Sequence, residues 1–453
     1  MSVLRRTGWE IGVGAAALAG VSIAAMTAAH AGAFAVREQS AYYQGMSFAG
    51  AGTGDTLSSM YWNSAAAAAA PGMNSESHIS LILPDSEITA TGGLLTGEGL
   101  PDGGGGTLPA CAFDNCESGD IADPALVPAS YANYQINDQL YLGLAMNSGF
   151  GLVTKPDNTD WAGSAIAITS DVFSINVNPT VAYKLTPELS VGVGVQIEYL
   201  NVRLNRGPFP GLEPIGRSAE VDDIGFGATA GVSWTPTPGT TIGVGYRSAV
   251  KFDLEGDYAS AATLGDSRSA KADLTLPDMV TIGLRQSLTD RVDLLAGYEW
   301  TNWSRAGTIP VEVTGFVGPA EELRLEYDDG HFVSLGLEYD YTPLTTLRAG
   351  IAWEKSPISD EERNVFLPDS DRLWLSVGAT HRLTEKITID LGYTHIFSDD
   401  APICREIGGP GDPCTAPIGD EIIIAEGEAS VDIIAASFKY KWGGGEPELE
   451  PLK

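Results

Sequence analysis

Basic residues are scarce. The 453-residue chain carries 26 Lys and Arg against 59 Asp and Glu, a formal net charge of −33. A nucleic-acid binder needs a basic face for phosphate, so that class of partner is excluded. Histidine is rarer still, with five in the whole chain. Catalysis by a nucleophile and a positioned base therefore has little to draw on. His78 and Ser80 share one strand face, but nothing marks a third, orienting group. No enzyme activity and no cofactor are expected. The four cysteines fall as Cys111-x4-Cys116 and Cys404-x9-Cys414, without the spacing or neighbouring histidines of a zinc site. Two local disulfides in an oxidising compartment are the simpler expectation.

Long apolar runs are also missing beyond residue 26. No later segment reaches the 18 or more apolar residues of a membrane helix. The one early run, Ile11 to Met26, is too short to span a bilayer. It follows Arg5 and Arg6 and precedes the small-x-small triplet Ala29-His30-Ala31, so residues 1–31 read as a secretory signal peptide.

What the chain has in abundance is strict alternation. In "LSVGVGVQIEY", Leu189, Val191, Val193, Val195, Ile197 and Tyr199 face one way. Ser190, Gly192, Gly194, Gln196 and Glu198 face the other. In "TIGVGYRSAVKFDLEG" the apolar set Ile242, Val244, Tyr246, Val250, Phe252 and Leu254 opposes Gly243, Gly245, Arg247, Lys251 and Asp253. Period two with one greasy side is the signature of a strand buried on one face. Fourteen such stretches run from about 78–92 to 427–442. Six short turns alternate with seven long loops between them.

An even strand count with short turns on one side and long loops on the other is the pattern of an antiparallel transmembrane β-barrel. Closure also removes the sheet edge that lipid cannot satisfy. The fold class is therefore all-β, a barrel of about 14 strands, with its apolar side to lipid and its polar side to the lumen. Trp234, Tyr341, Tyr393 and Trp442 are placed in the interfacial girdles. Both chain ends fall on the short-turn, periplasmic side. The expected location is the outer membrane of a Gram-negative cell. Outer-membrane lipid and lipopolysaccharide are expected partners, divalent cations bridging their anionic headgroups to carboxylates.

A barrel of this size encloses a wide lumen, because 16–18 strands already leave an aqueous channel. The segment 32–73 has no alternation and is rich in Gly, Ala and Ser, the small residues a crowded interior accepts. Within it "SMYWNSAAAAAAPG" reads as a short alanine helix, capped by Asn63 or Ser64 ahead of Ala65 and stopped by Pro71. Six residues do not hold a helix in water, so this one needs walls around it. The layout is signal peptide 1–31, N-terminal plug 32–73, barrel 74–442 and periplasmic C-terminal tail 443–453.

At this point the residues resemble the FadL-type outer-membrane transporters of long-chain fatty acids and hydrocarbons. The segment 347–383 is similar to that family's signature through Arg348, Gly350, Ser356, Pro357, Pro368, Asp369, Asp371, Arg372, Ser376 and Gly378. "FGLVT" (150–154), "NPTVAYKL" (178–185), "LPDMVTIGL" (276–284) and "WTNWS" (300–304) add collinear matches. The resemblance implies a monomer that passes a hydrophobic small molecule from an outer groove to a lumenal pocket, then sideways at a kinked strand. It also points to Phe150 and Leu152 as ligand contacts. Three departures stand out. Asn63-Ser64-Ala65 replaces the family's N-P-A. An eleven-residue tail follows Trp442. Asp328-Asp329 stands where fatty-acid members place a lysine.

For an apolar tail with a carboxylate head, a greasy pocket with one or two cations is required. Arg247 and Lys251, i and i+4 on one strand, are lumen-side candidates, as are Arg203 and Arg206 at a strand's outer end. Salt bridging to lumenal carboxylates is the alternative reading for each. The lateral gate is expected at "NSGFGL", where Gly149 and Gly151 interrupt the alternation and permit a kink.

Overall fold

The computed structural model describes residues 32–442 except 101, 103, 113–114, 209–215, 261–265, 316–320, 407–408 and 411–420. The segment read as a signal peptide, Cys414 and the C-terminal tail lie outside the described residues.

Fourteen antiparallel staves close into a barrel. β1 is Met73–Gly92, β2 Ala125–Gln135, and β3 Leu140–Asn147 continued by Gly151–Thr154. β4 is Thr169–Thr186, β5 Leu189–Arg206, β6 Arg217–Thr237, and β7 Thr240–Arg247 continued by Val250–Ala259. β8 is Arg268–Leu276 with Met279–Thr289, β9 Val292–Thr301 with Gly307–Val313, and β10 Glu321–Leu325 with Gly330–Thr342. β11 is Thr345–Lys355, β12 Arg372–Arg382, β13 Ile387–Ser398 with Ala401–Glu406, and β14 Glu421–Trp442. Pairing of β1 with β14, from Met73↔Trp442 to Gly92↔Ile424, closes the ring. Tight turns such as the one around Gly239, at φ 86°, lie on the side of the chain ends.

The expected faces are largely in place. Val193, Phe226 and Leu391 are 61%, 67% and 55% exposed on the outside, where a soluble protein would bury them. The outward face inverts where a stave breaks. In β7 Arg247 points inward, and so does Val250 three residues later, because Ser248-Ala249 form a bulge bonded to Ala228. Beyond it Phe252 and Leu254 face the interior, while Lys251 is 62% exposed and paired with Asp253 and Asp273. The sequence reading that put Arg247 and Lys251 on one lumenal face is corrected: one extra residue reverses every side chain beyond it.

The N-terminal segment fills the lumen as expected. It holds α1, Ala41–Gln44, and tight 3₁₀ turns at Ala51–Thr53, Leu57–Tyr61 and Ser64–Ala68. The alanines thus form a 3₁₀ turn and not an α-helix. Their carbonyls go to the wall instead of continuing a helix: Asn133 Nδ2 donates to the carbonyls of Ala67 and Ala70 at 3.0 and 2.8 Å. Asn63 is the cap, its Oδ1 accepting from Ala65 N at 3.0 Å. Ser64 instead donates to Thr229 at 2.7 Å.

A circle of inward-facing glycines makes room for this plug. A Cβ on Gly245 would meet the Trp62 carbonyl oxygen at 1.7 Å. One on Gly243 would meet Gly52 O at 2.1 Å, one on Gly350 Met46 C at 2.2 Å, and one on Gly192 Ser64 O at 2.3 Å. The plug backbone therefore winds along the wall at van der Waals contact. This lets Tyr43, Met46, Phe48, Met60 and Trp62 form a dry central core.

Candidate functional site

Above the plug, on the long-loop side, buried apolar side chains pack into a second cluster that forms the upper chamber of the lumen. Its walls come from the upper staves: Phe150 and Leu152 at the break in β3, Val172 of β4 and Leu200 of β5 on unbroken lumenal faces, and Phe252 of β7 and Leu274 of β8 on inverted ones. Trp303 lies between the two segments of β9, and its ring sits 4.6 Å from Phe34 of the plug and 6.0 Å from Phe150. Phe34 lies 6.1 Å from Phe150, so the plug's first residues form part of the chamber.

Two charged layers bracket the plug core. Under the chamber, Arg37 of the plug pairs with Glu299 at 2.5 Å and Glu354 at 3.2 Å. Arg372 pairs with Asp369 and lies 3.7 Å from Glu354. Asp369 also accepts from Ala33 N at 2.8 Å and from Ser356 Oγ at 2.6 Å. Near the short turns, Arg285 binds Asp55 of the plug at 2.9 Å, Arg348 binds Glu338 at 3.3 Å, and Lys439 binds Asp390 at 3.1 Å. Tyr42 inserts its ring between Arg348 and Lys439. Buried charges require this pairing, because an unpaired one in such a place costs several kcal/mol.

Of the signature residues, Asp369 and Arg348 contact the plug directly, and Ser356, Asp371 and Arg372 brace the wall around them. Arg348, Asp369 and Arg372 belong to these layers, Asp371 accepts from Ser356 N at 2.9 Å, and the Pro357 carbonyl accepts from Asp328 N at 2.8 Å. Pro368 lines a small cleft with Asp369 and Arg372. Reading the sequence missed Arg37, Glu299 and Glu354. Arg37 is the one basic residue between Gly32 and Met73, and that isolation was a signal.

Pairing along the barrel wall is interrupted beside Gly149 and Gly151. β2 and β3 pair from Gln135↔Tyr141 up to Ser130↔Met146 and then part. Above that level, among the described residues, Ala125 to Ala129 form ladder pairs with β1 and Gly151–Thr154 with β4, but not with each other. The chains meet again higher up, where Lys155 N donates to Ile121 O at 2.7 Å. Asn147 through Thr154 are all buried, so this stretch has turned off the lipid face. The plug covers the opening from within: Val36 N donates to Gly149 O at 2.9 Å, and Gly151 N to Phe34 O at 2.8 Å.

The cationic candidates divide. Arg247 is buried, donates to the Tyr61 carbonyl at 3.1 Å and stacks over its ring at 4.5 Å. Arg203 is exposed on the outer face opposite Asp171 and Glu220, which corrects its lumenal placement. The cause is strand parity: it is three residues from buried Leu200. Arg206 lines a cleft at the extracellular mouth with Arg217 and Tyr258. Burial and the neighbouring guanidiniums of Arg324 and Arg206 hold Arg405 below the usual arginine range, with Glu362 opposing them, so three arginines converge at this mouth. Cys111 and Cys116 form a disulfide in the first long loop. Cys404 is buried in the extension of β13, and its expected partner lies outside the described residues.

Comparison with known proteins places this architecture. The family model described as "Outer membrane protein transport protein (OMPP1/FadL/TodX)" matches residues 21–442. Outer membrane protein P1 of Haemophilus influenzae is 29% identical over 310 residues, 61% of this chain and 67% of that protein. The long-chain fatty acid transport protein of Salmonella typhi is 27% identical over 320 residues, 63% of this chain and 73% of that protein. Among solved structures, a Pseudomonas aeruginosa FadL homologue superposes with TM-score 0.76 at 20% identity, covering 91% of this chain and all of that one. The Ralstonia pickettii toluene transporter TbuX superposes with TM-score 0.60 at 16% identity, covering 89% of this chain and all of that one. These two structures bear on the fold.

Proposed function

Because the chain belongs to the OMPP1/FadL/TodX family of outer-membrane transport proteins, we propose that it takes up hydrophobic molecules passively, long-chain fatty acids foremost. The molecule enters at the arginine-rich mouth, occupies the apolar chamber beside Phe34, and leaves sideways between β2 and β3. The observation that carries this reading is the wall opening at Ser148 to Phe150, bordered by the chamber and covered by plug residues 34–36. The route downward is closed by the buried ion pairs of Arg37 and Arg372, which an apolar ligand cannot replace. A general diffusion porin is disfavoured by the filled lumen.

The protein works as a monomer among outer-membrane lipid and lipopolysaccharide, and it catalyses no reaction. Uptake of uncharged aromatic or aliphatic hydrocarbons is the second reading. It is favoured by the engagement of Arg37, Arg372 and Arg247 with protein groups, and by Asp329, which accepts from Trp300 Nε1 at 2.9 Å. Uptake of radiolabelled oleate and hexadecane by cells whose own transporter is deleted tests the proposal. Expression should raise uptake of one or both, and uptake equal to empty-vector cells for both would overturn it.

A further inference from the structure

Immediately below the chamber, on its β3–β5 side, three polar side chains lie abreast on the lumen face. Asn147 and Asn176 are register partners, and so are Asn176 and Glu198. They are 4%, 0% and 1% exposed. One hydrogen bond joins them, from Asn176 Nδ2 to Glu198 Oε2 at 3.3 Å. Among the described residues, Asn147 Oδ1, Asn147 Nδ2, Asn176 Oδ1 and Glu198 Oε1 have no partner. Ser174, the next residue on that face of β4, is occupied: it accepts from Phe150 N at 3.1 Å and donates to Phe150 O at 2.9 Å. Arg247 is held by Tyr61.

Buried polar atoms are normally bonded, and four unbonded ones in one row can receive hydrogen bonds from, or give them to, a bound molecule. Their position selects it. Leu200 stands two residues above Glu198, and Phe150 three beyond Asn147, so whatever meets the row extends into the apolar chamber. Their chemistry selects it further. The row offers three acceptors and one donor, with a carboxyl oxygen of Glu198 among the acceptors. A ligand carboxylate would only add acceptors to a row that already holds three, whereas an O–H group meets both kinds of atom.

We propose that this row receives the neutral hydrogen-bonding head of an otherwise apolar molecule on its way from the chamber to the wall opening. The hydroxyl donates to Glu198 Oε1 or Asn176 Oδ1, and its oxygen accepts from Asn147 Nδ2. An alcohol, a phenol and a protonated carboxylic acid share this chemistry, and a carboxylate does not. The proposal rests on the uptake reading and adds which end group can pass.

The test uses the full-length protein exchanged into amphipol, with tritiated 1-dodecanol, dodecane and dodecanoate at pH 8, and dodecanoic acid again at pH 5. Dodecanol should bind about tenfold tighter than dodecane, the size of one added hydrogen bond. Dodecanoate should bind weakest at pH 8, and the acid at pH 5 should approach dodecanol. Asn147→Leu with Asn176→Leu should erase the alcohol's advantage and leave dodecane binding unchanged, with heat-modifiable gel mobility reporting that the barrel is folded. Tighter binding of dodecanoate than of dodecanol by the native protein, or equal binding of all three, would overturn the proposal without any variant. Binding of none of them would instead remove the uptake reading on which it stands.

Discussion

The guanidinium of Arg37 and the carboxylate of Glu299 sit 2.5 Å apart, both nearly inaccessible to solvent, although 262 positions separate them in the chain. Glu354 holds the same guanidinium at 3.2 Å, and the ring of Phe332 lies 3.8 Å beneath it. One plug side chain thus engages β9, β10 and β11 together. Arg37→Met should cost about 3–5 kcal/mol, because it leaves buried Glu299 without its cation and Glu354 with only the more distant Arg372. The readout is the midpoint of thermal unfolding in detergent. Adding Glu299→Gln and Glu354→Gln to that variant should restore much of the loss. An unchanged midpoint in the single variant would show that the pair does not hold the plug.

The glycine circle makes a second prediction. A side chain at Gly245 must displace the Trp62 carbonyl, and one at Gly243 the Gly52 carbonyl, and neither is a flexible tip that can swing aside. Gly245→Val should leave the barrel folded and heat-modifiable but unseat the plug. Ion conductance in planar bilayers should then rise toward that of a chain lacking residues 32–73. Conductance at the native level in the deletion would mean that the segment does not seal the lumen.

Much of this molecule was legible before its structure was seen, because alternation, turn asymmetry and closure are all local or counting properties. Fourteen staves and the filling of the lumen follow from them, whereas a kink near Gly149 was expected from its two glycines and the family resemblance. What was not legible depends on single-residue register. The bulge at Ser248-Ala249 leaves no compositional mark, yet it turns Lys251 outward and Phe252 inward. The staves also extend beyond their alternating stretches, at the lower end of Met73–Gly92 and at the upper end of Glu421–Trp442, because outside the bilayer they need no greasy face. The row of Asn147, Asn176 and Glu198 comes from three staves. Only pairing register brings its members abreast.

Glu38 supplies a pH dependence. It is 1% exposed in the plug, and burial pushes its carboxyl up to about 7. The folded state therefore keeps a proton that the unfolded chain releases near the ordinary glutamate value of about 4.3. Stability from this group is intact below that value and declines as pH rises through the window to about 7. The total is on the order of 3 kcal/mol. Thermal midpoints between pH 4 and pH 8 should fall across that window in the native protein, and Glu38→Gln should flatten the slope. The same slope in both proteins would assign it to another group.

The way out of the barrel makes the last prediction. A molecule leaving the chamber for the periplasm would expose its apolar surface at a cost of about 25 cal/mol per Å². Leaving between β2 and β3 it enters lipid and avoids that cost. An intact wall offers no such passage, since every strand edge must be paired. This wall is unpaired between Ser130↔Met146 and the contact of Lys155 with Ile121. A Cβ on Gly149 would stand 3.0 Å from the Tyr61 hydroxyl, tight enough that Tyr61 must give way. Gly151 donates to the Phe34 carbonyl, the strut that holds the plug's start across the gap. Gly149→Val with Gly151→Val should therefore narrow the passage while the fourteen staves still close. Uptake of radiolabelled oleate or hexadecane by whole cells should fall at least about tenfold, with gel mobility and surface labelling of the long loops unchanged. Native rates in that double variant would place the exit elsewhere in the wall.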